Sequence, residues 1–190
     1  MRSVRVYDLI TLDGVIQAPH PNEPEFEHAG WAVPYQDEVM LENATQGMSG
    51  DGALLLGRRT YESMAAAWPN APKDNPFTEV MNNYKKYVAS RTLSGPLEWH
   101  NSELLDGDAR AAVAALKGYD GPDLVVLGSG NLVGSLMDAG LIDELTLPIH
   151  PLVLGSGQRL FPDGAPFAKL QLVDAKPTTT GVIITRYRPA

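Results

Sequence analysis

"LVVLGSGNLVGSL", Leu124–Leu136, decides how this chain folds. An apolar run stops at Gly128-Ser129-Gly130, and an amphipathic segment starts immediately. That pattern predicts a buried strand, a tight turn and a helix from about Asn131. Two glycines let the backbone turn sharply and approach a ligand with no Cβ in the way. The helix would aim its free N–H groups, which carry partial positive charge, back at the turn, where a phosphate fits. An ordinary strand-to-helix turn fits the same residues. The stretch is not a Walker loop, because no Gly-Lys-Ser/Thr follows. It is not the full G-x-G-x-x-G pattern either, because Gly134 falls one residue late.

The alternation extends outward in both directions. "SVRVYDLITL" predicts a strand over 3–12 with Val4, Val6, Ile10 and Leu12 on one side. A helix is expected over 35–48, then a buried strand over "GALLLG", 52–57, and a helix over 58–68. "KKYVAS", 85–90, predicts a strand and "LEWHN", 97–101, a weaker one. "DARAAVAALKG" is helical, with Asp108 at its start and Gly118 at its end. After the opening stretch comes a long strand over 143–155, with an edge or bulge expected at Pro148 and Pro151. Residues 168–189 suit a terminal hairpin. Strands alternating with helices imply an α/β sheet covered on both faces.

Composition narrows the function. The chain has 190 residues, 44% of them hydrophobic, and a net charge of −8. Nucleic acid, which needs a basic face, is a poor partner. No run of about 18 apolar residues predicts a membrane helix, and the first residues lack a signal peptide's apolar centre. A cytoplasmic location is the expectation. Zero cysteines exclude disulfides, thiolate metal sites and a cysteine nucleophile.

Three strand ends share one chemistry. "LLLGRRTYE" places Gly57, Arg58, Arg59 and Thr60 after an apolar strand; "YVASRTL" places Ser90, Arg91 and Thr92 likewise; the third is the opening stretch. Guanidinium forks match phosphate oxygens, and ligands of open α/β sheets lie beyond the carboxyl ends of strands. Solvated arginines and plain turns are the bland alternatives for each taken singly. Asp8 lies mid-strand beside Val6 and Ile10, where a carboxylate is costly unless paired or facing a cleft. Asp37, in "WAVPYQDEVM", suits a helix start. Asp13-Gly14 suits a turn, and His150 a strand interior or a cleft. The proline-rich 17–30 reads as a loop, with Trp31 and Tyr35 beside it.

"LDGVI", "LLLGRRTYE", "SRTL" and "VLGSGNLVGSLMDAGLIDELTLPIHPLVLGSGQRLF" together resemble the dihydrofolate-reductase-like superfamily. The nearer likeness is to the branch containing the C-terminal reductase domain of the riboflavin-biosynthesis deaminase/reductase. The ordered set spans about Ser3 to Arg188, so the resemblance implies one domain over 1–190. It implies a mixed, mostly parallel sheet flanked by helices with a C-terminal antiparallel hairpin. It also implies an NADPH-dependent reductase of a small heterocycle or carbonyl, or a cofactor-binding module of the same fold without turnover.

By position, Gly57, Arg58, Arg59 and Thr60 resemble the segment on the cofactor phosphates. Ser90, Arg91 and Thr92 resemble the segment near the adenosine 2′-phosphate. Gly128, Ser129, Gly130, Asn131 and Leu132 resemble the loop on the pyrophosphate, and Leu9 and Ile16 would flank the nicotinamide. In dihydrofolate reductases a cis peptide joins two glycines of that loop; here the bond in question is Gly128–Ser129. Asp37 and Asp8 are the candidate proton donors, Asp13 a supporting residue beside the cofactor, and the loop 17–30 one wall of the substrate pocket. No zinc signature or deaminase segment is present, and no metal is expected. A homodimer is expected, through "LTLPIHPLVLG" and the terminal hairpin.

Overall fold

β1 (Val4–Tyr7), β3 (Gly52–Gly57) and β6 (Asp123–Leu127) are the apolar runs of the sequence, and they lie side by side in parallel. They belong to a computed structural model that describes residues 1–48, 51–165 and 167–190. The described sheet has nine strands, completed by β2 (Ile10–Thr11), β4 (Lys85–Ala89), β5 (Ser102–Leu105), β7 (Glu144–His150), β8 (Leu170–Pro177) and β9 (Ile183–Pro189). The order is β5-β4-β3-β6-β1-β7-β9-β8, with β2 also on β7. All pairs are parallel except β7–β9 and β8–β9. This is the expected mixed, mostly parallel sheet with a C-terminal antiparallel hairpin.

Alternation along the central strands fills both faces. Val4, Val6, Leu55, Leu124 and Val126 meet α4 (Ala109–Gly118) and α5 (Gly130–Asp138) through Val113, Leu132, Val133 and Leu136. Leu54, Leu56 and Val125 meet α2 (Arg58–Ala67) and α3 (Thr78–Asn83) through Tyr61 and Met81 on the other face. α1 (Glu38–Gly47) lays Met40 on Val182 and Ile184 of the hairpin region.

Several expectations are corrected. The strand over 3–12 is two strands broken at Asp8–Leu9, and Leu12 is exposed. The break explains Pro148. β1 pairs with Glu144–Thr146 and β2 with Ile149–His150, so Leu147–Pro148 lies opposite the gap in the parallel neighbours. β7 therefore runs through Pro148 without interruption and ends before Pro151. It is an interior strand, not an edge; the free edge on this side is β8, which carries the irregularity between Leu172 and Asp174.

The strand sought over 97–101 falls instead at Ser102–Leu105, after a turn in which Asn101 takes a φ of 58°. Trp99 is core, with its indole N–H on Asn82 Oδ1 at 2.8 Å. α3 had no periodic apolar signal and was not anticipated. No cis peptide occurs among the described residues; Gly128 and Ser129 turn the chain with φ of 65° and 68°.

Candidate active site

The carboxyl ends of β4, β3, β6 and β1 lie in that order along one edge of the sheet, and they carry most of the residues singled out above. Ser129, the N-cap of α5, ties two of those ends together. Its Oγ accepts the Gly57 N–H at 2.9 Å and lies 2.6 Å from the Thr60 hydroxyl. A Cβ on Gly57 would sit 2.8 Å from that Oγ. One on Gly130 would sit 3.1 Å from the Arg159 carbonyl and 3.2 Å from Ile16 Cδ1. Both glycines therefore let neighbouring loops approach closely.

α5 turns at once from this knot. Leu132 and Val133 N–H groups bond to the Ser129 carbonyl, while those of Gly130 and Asn131 find no acceptor among the described residues. These are the unsatisfied donors of a helix start. The Leu132 side chain points into the core, and Asn131 is exposed.

Asp8 lies where β1 breaks. It is 4% exposed. Its Oδ1 accepts the Gly128 N–H at 2.6 Å, and its buried Oδ2 has no partner among the described residues. Burial pushes the carboxyl up to about 7, against the pull of the Gly128 N–H. A buried carboxyl in this state holds its proton near neutral pH.

Asp37 differs. It caps α1, accepting the Met40 N–H at 2.8 Å, and it holds Thr179 through the hydroxyl at 2.6 Å and the N–H at 2.8 Å. The Thr179 hydroxyl and the Met40 N–H keep this exposed carboxylate below its usual range. Its geometry is that of a brace between α1 and the β8–β9 turn.

Asp13 is also a brace. It takes the Thr11 hydroxyl at 2.6 Å and the N–H groups of Leu154 and Gly155 at 3.2 and 2.8 Å, and its pKa is lowered, chiefly by Thr11. Leu9 and Ile16 pack into different clusters. Leu9 lies with Met40, Val182 and Ile184, and Ile16 lies beside Gly130 on the opposite face.

The arginines are exposed. Arg58 pairs with Glu62 at 3.6 Å. Arg59 lines an open depression of about 410 Å³ with Asn22, Glu23 and Ser63. Loop 17–30 closes its other side, with the Asn22 amide 2.6 Å from the Ser63 hydroxyl. Ser90 organises its own turn by accepting the N–H groups of Thr92 and Leu93, leaving Arg91 exposed beside the end of β3.

Trp31 is core, its indole N–H on the Gln17 carbonyl at 2.7 Å. His150 is fully buried, edge-on to Trp31 and Tyr35, with Nδ1 on the Pro148 carbonyl and Nε2 without a partner among the described residues. Neither the Asn22–Ser63 clasp nor the place of Arg159 was anticipated. The only hint was that Arg159 belongs to the "GSGQRLF" part of the family-like set.

Among the described residues no helix is long and apolar enough to cross a membrane, and no cluster of three metal-ligating side chains occurs.

Comparison with known proteins gives the same architecture. The sequence profile of the RibD C-terminal domain family matches residues 2–184. YyaP of Bacillus subtilis (strain 168) is 28% identical over 180 residues, covering 92% of this chain and 88% of that protein. YwjB of the same organism is 31% identical over 123 residues, covering 65% and 66%.

The structure of a protein from Shewanella sp. PV-4, described as a riboflavin biosynthesis protein, superposes with a TM-score of 0.74 at 19% identity, covering 99% of both chains. A pyrimidine reductase-like protein of Corynebacterium diphtheriae gives 0.68 at 13%, covering 100% of this chain and 92% of that one. Dihydrofolate reductase of Enterococcus faecalis, complexed with NADP(H), gives 0.63 at 15%, covering 98% and 96%. At these identities the likeness is one of fold.

Proposed function

Because the chain belongs to the RibD C-terminal domain family, we propose that it is an NADPH-dependent reductase of a small heterocyclic or carbonyl substrate. The observation that carries this reading is the Ser129 knot, which joins the ends of β3 and β6 at the open start of α5. The residues suit the cofactor. Two N–H groups at the α5 start are without acceptors among the described residues, and Arg59 at the start of α2 and Arg91 in the turn after β4 stand to one side of it.

Thr60, Ser129, Gly130 and Asn131 would hold the pyrophosphate, with Gly57 positioning the Ser129 hydroxyl. Arg91, with Ser90 and Thr92, would take the adenosine 2′-phosphate, and Arg58 and Arg59 would add charge beside it. Ile16, and Leu9 through its backbone, would border the nicotinamide. When bound, the nicotinamide supplies a hydride.

Reduction also needs a proton. Asp8 is the residue proposed to give it, because its carboxyl keeps a proton to about pH 7 and its Oδ2 has no competing partner. Asp37, ionised and triply bonded, is proposed to hold α1 against the hairpin. The alternative is a cofactor-binding module without turnover. It is favoured by one observation: Asp8 is closed to solvent and Asp37 is tied, so neither carboxyl is both protonated and open. Following nicotinamide absorbance with NADPH and a panel of pterins, pyrimidines and quinones separates the two. Substrate-dependent loss of absorbance that Asp8→Asn abolishes supports the reductase. Binding of NADPH with no turnover on any compound supports the module.

A further inference from the structure

An acidic chain gathers its uncompensated arginines at the site. Arg5, Arg58, Arg110 and Arg188 each have a carboxylate partner. Among the described residues Arg2, Arg59, Arg91, Arg159 and Arg186 have none. Arg2 is buried at the other end of β1, on the Pro122 carbonyl and over the Tyr87 ring, and Arg186 lies within β9. The remaining three, Arg59, Arg91 and Arg159, all follow carboxyl ends of parallel strands. Exposed guanidiniums without ion-pair partners among the described residues, gathered at one edge of a protein of net charge −8, suit an anion even with Glu23 and Glu62 nearby.

Arg159 is the one the sequence did not single out, and it is the best anchored. Its Nε donates to the Asp13 carbonyl at 3.0 Å. Its backbone is fixed on both sides: Val15 bridges to it, Leu160 N–H bonds to the Gly14 carbonyl, and Ile16 N–H bonds to the Gln158 carbonyl. The Asp13 carboxylate pins the same segment upstream through Leu154 and Gly155. Its own carbonyl lies against Gly130, the first residue of α5. With Nε engaged, the two terminal nitrogens of the guanidinium have no acceptor among the described residues.

The side of approach matters. Arg59 and Arg91 come after β3 and β4, on one flank of β6; Arg159 touches the turn that follows β2, on the other.

We infer that Arg159 is a further cofactor-binding residue, whose guanidinium takes the phosphate on the nicotinamide side of the dinucleotide. This rests on the reductase reading, since both need the dinucleotide to cross the α5 start. Preorganisation through Asp13 means little side-chain freedom is lost on binding.

The test is titration of the whole protein with NADPH and, separately, with 2′,5′-ADP, which lacks the nicotinamide-side phosphate. Arg159→Gln is expected to weaken NADPH by about tenfold to a hundredfold, the range of a charged hydrogen-bonded contact. It should leave 2′,5′-ADP within about twofold, which also reports that the fold is intact. Arg159→Lys, which keeps the charge but loses the Nε anchor, is expected to lie between. Equal NADPH binding by wild type and Arg159→Gln overturns the inference and leaves the reductase reading standing. Equal weakening of both ligands in both variants overturns it as well, assigning Arg159 to the scaffold. A wild-type protein that binds neither ligand overturns the reductase reading itself, and this inference with it.

Discussion

The Ser129 hydroxyl accepts the backbone N–H of Gly57 at 2.9 Å, joining two loops 72 residues apart in sequence. Ser129 does this from a left-handed conformation, φ 68° and ψ 57°, that costs a non-glycine residue about 1 kcal/mol. Removing the hydroxyl while keeping the strain is therefore worse than removing both. Ser129→Ala is expected to cost about 1–3 kcal/mol in denaturant unfolding, and Ser129→Gly about 1 kcal/mol less than that. Equal costs would show that the backbone strain is absent.

Gly57→Ala tests the same contact by crowding. Its Cβ would lie 2.8 Å from the Ser129 Oγ, so the hydroxyl must turn off its bonds or the ends of β3 and β6 must part. NADPH affinity is expected to fall more than tenfold, about 1.4 kcal/mol. Unchanged affinity in a titration would separate the knot from the cofactor.

Asp8 gives a pH signature with a definite sign. Its folded pKa is raised from 3.8 to about 7 by burial. Between about pH 4 and pH 7 the folded chain holds a proton that the unfolded chain has released. Stability from this group is therefore fully present below about pH 4 and is lost as pH rises through about 7, by an amount on the order of 4 kcal/mol. Asp8→Asn, whose amide oxygen still suits the Gly128 N–H, should flatten that slope in urea titrations at several pH values. In turnover, kcat should decline above about pH 7 in wild type and fall by about 10²–10⁴-fold in Asp8→Asn. Asp37→Asn should keep the wild-type pH profile.

Lys86 is fully buried and places its ammonium on the carbonyls of Asn82, Tyr84 and His100 at 2.8–3.0 Å, with the Trp99 ring 4.3 Å from Nζ. It closes the carboxyl end of α3 and holds the segment before β5. Lys86→Met fills similar space but leaves those carbonyls without a donor. The expected loss is about 2–4 kcal/mol of unfolding free energy, with cofactor affinity unchanged in the folded protein. A neutral substitution would mean that water replaces the ammonium.

The sheet was legible because burial on both faces leaves continuous apolar runs, as in "GALLLG" and "DLVVLG", and the helices because their apolar spacing differs from it. The break at Asp8–Leu9 was not legible. Nothing local marks it, since it is fixed by how Glu144–His150 divides between β1 and β2. The strand after "LEWHN" was misplaced because Trp99 has the composition of a strand residue but is held by Asn82 and by Tyr61, whose hydroxyl takes its N–H. At the site, residue types at strand ends pointed to Gly57, Thr60 and Ser129. They could not tell that the glycines make room for neighbouring loops, because that depends on what lies 2.8 or 3.1 Å away. Asp37 and Asp8 read alike as carboxylates. Only tertiary partners make one a braced anion and the other a buried acid.

On the proposed function, the strand ends bind a dinucleotide carrying a 2′-phosphate. Calorimetric titration of the pure protein with NADPH and with NADH tests it directly. One site per chain is expected, with NADPH at least about tenfold tighter, because the 2′-phosphate adds a charge-assisted contact to Arg91. Absence of heat with NADPH, or equal affinity for the two nucleotides, would contradict it.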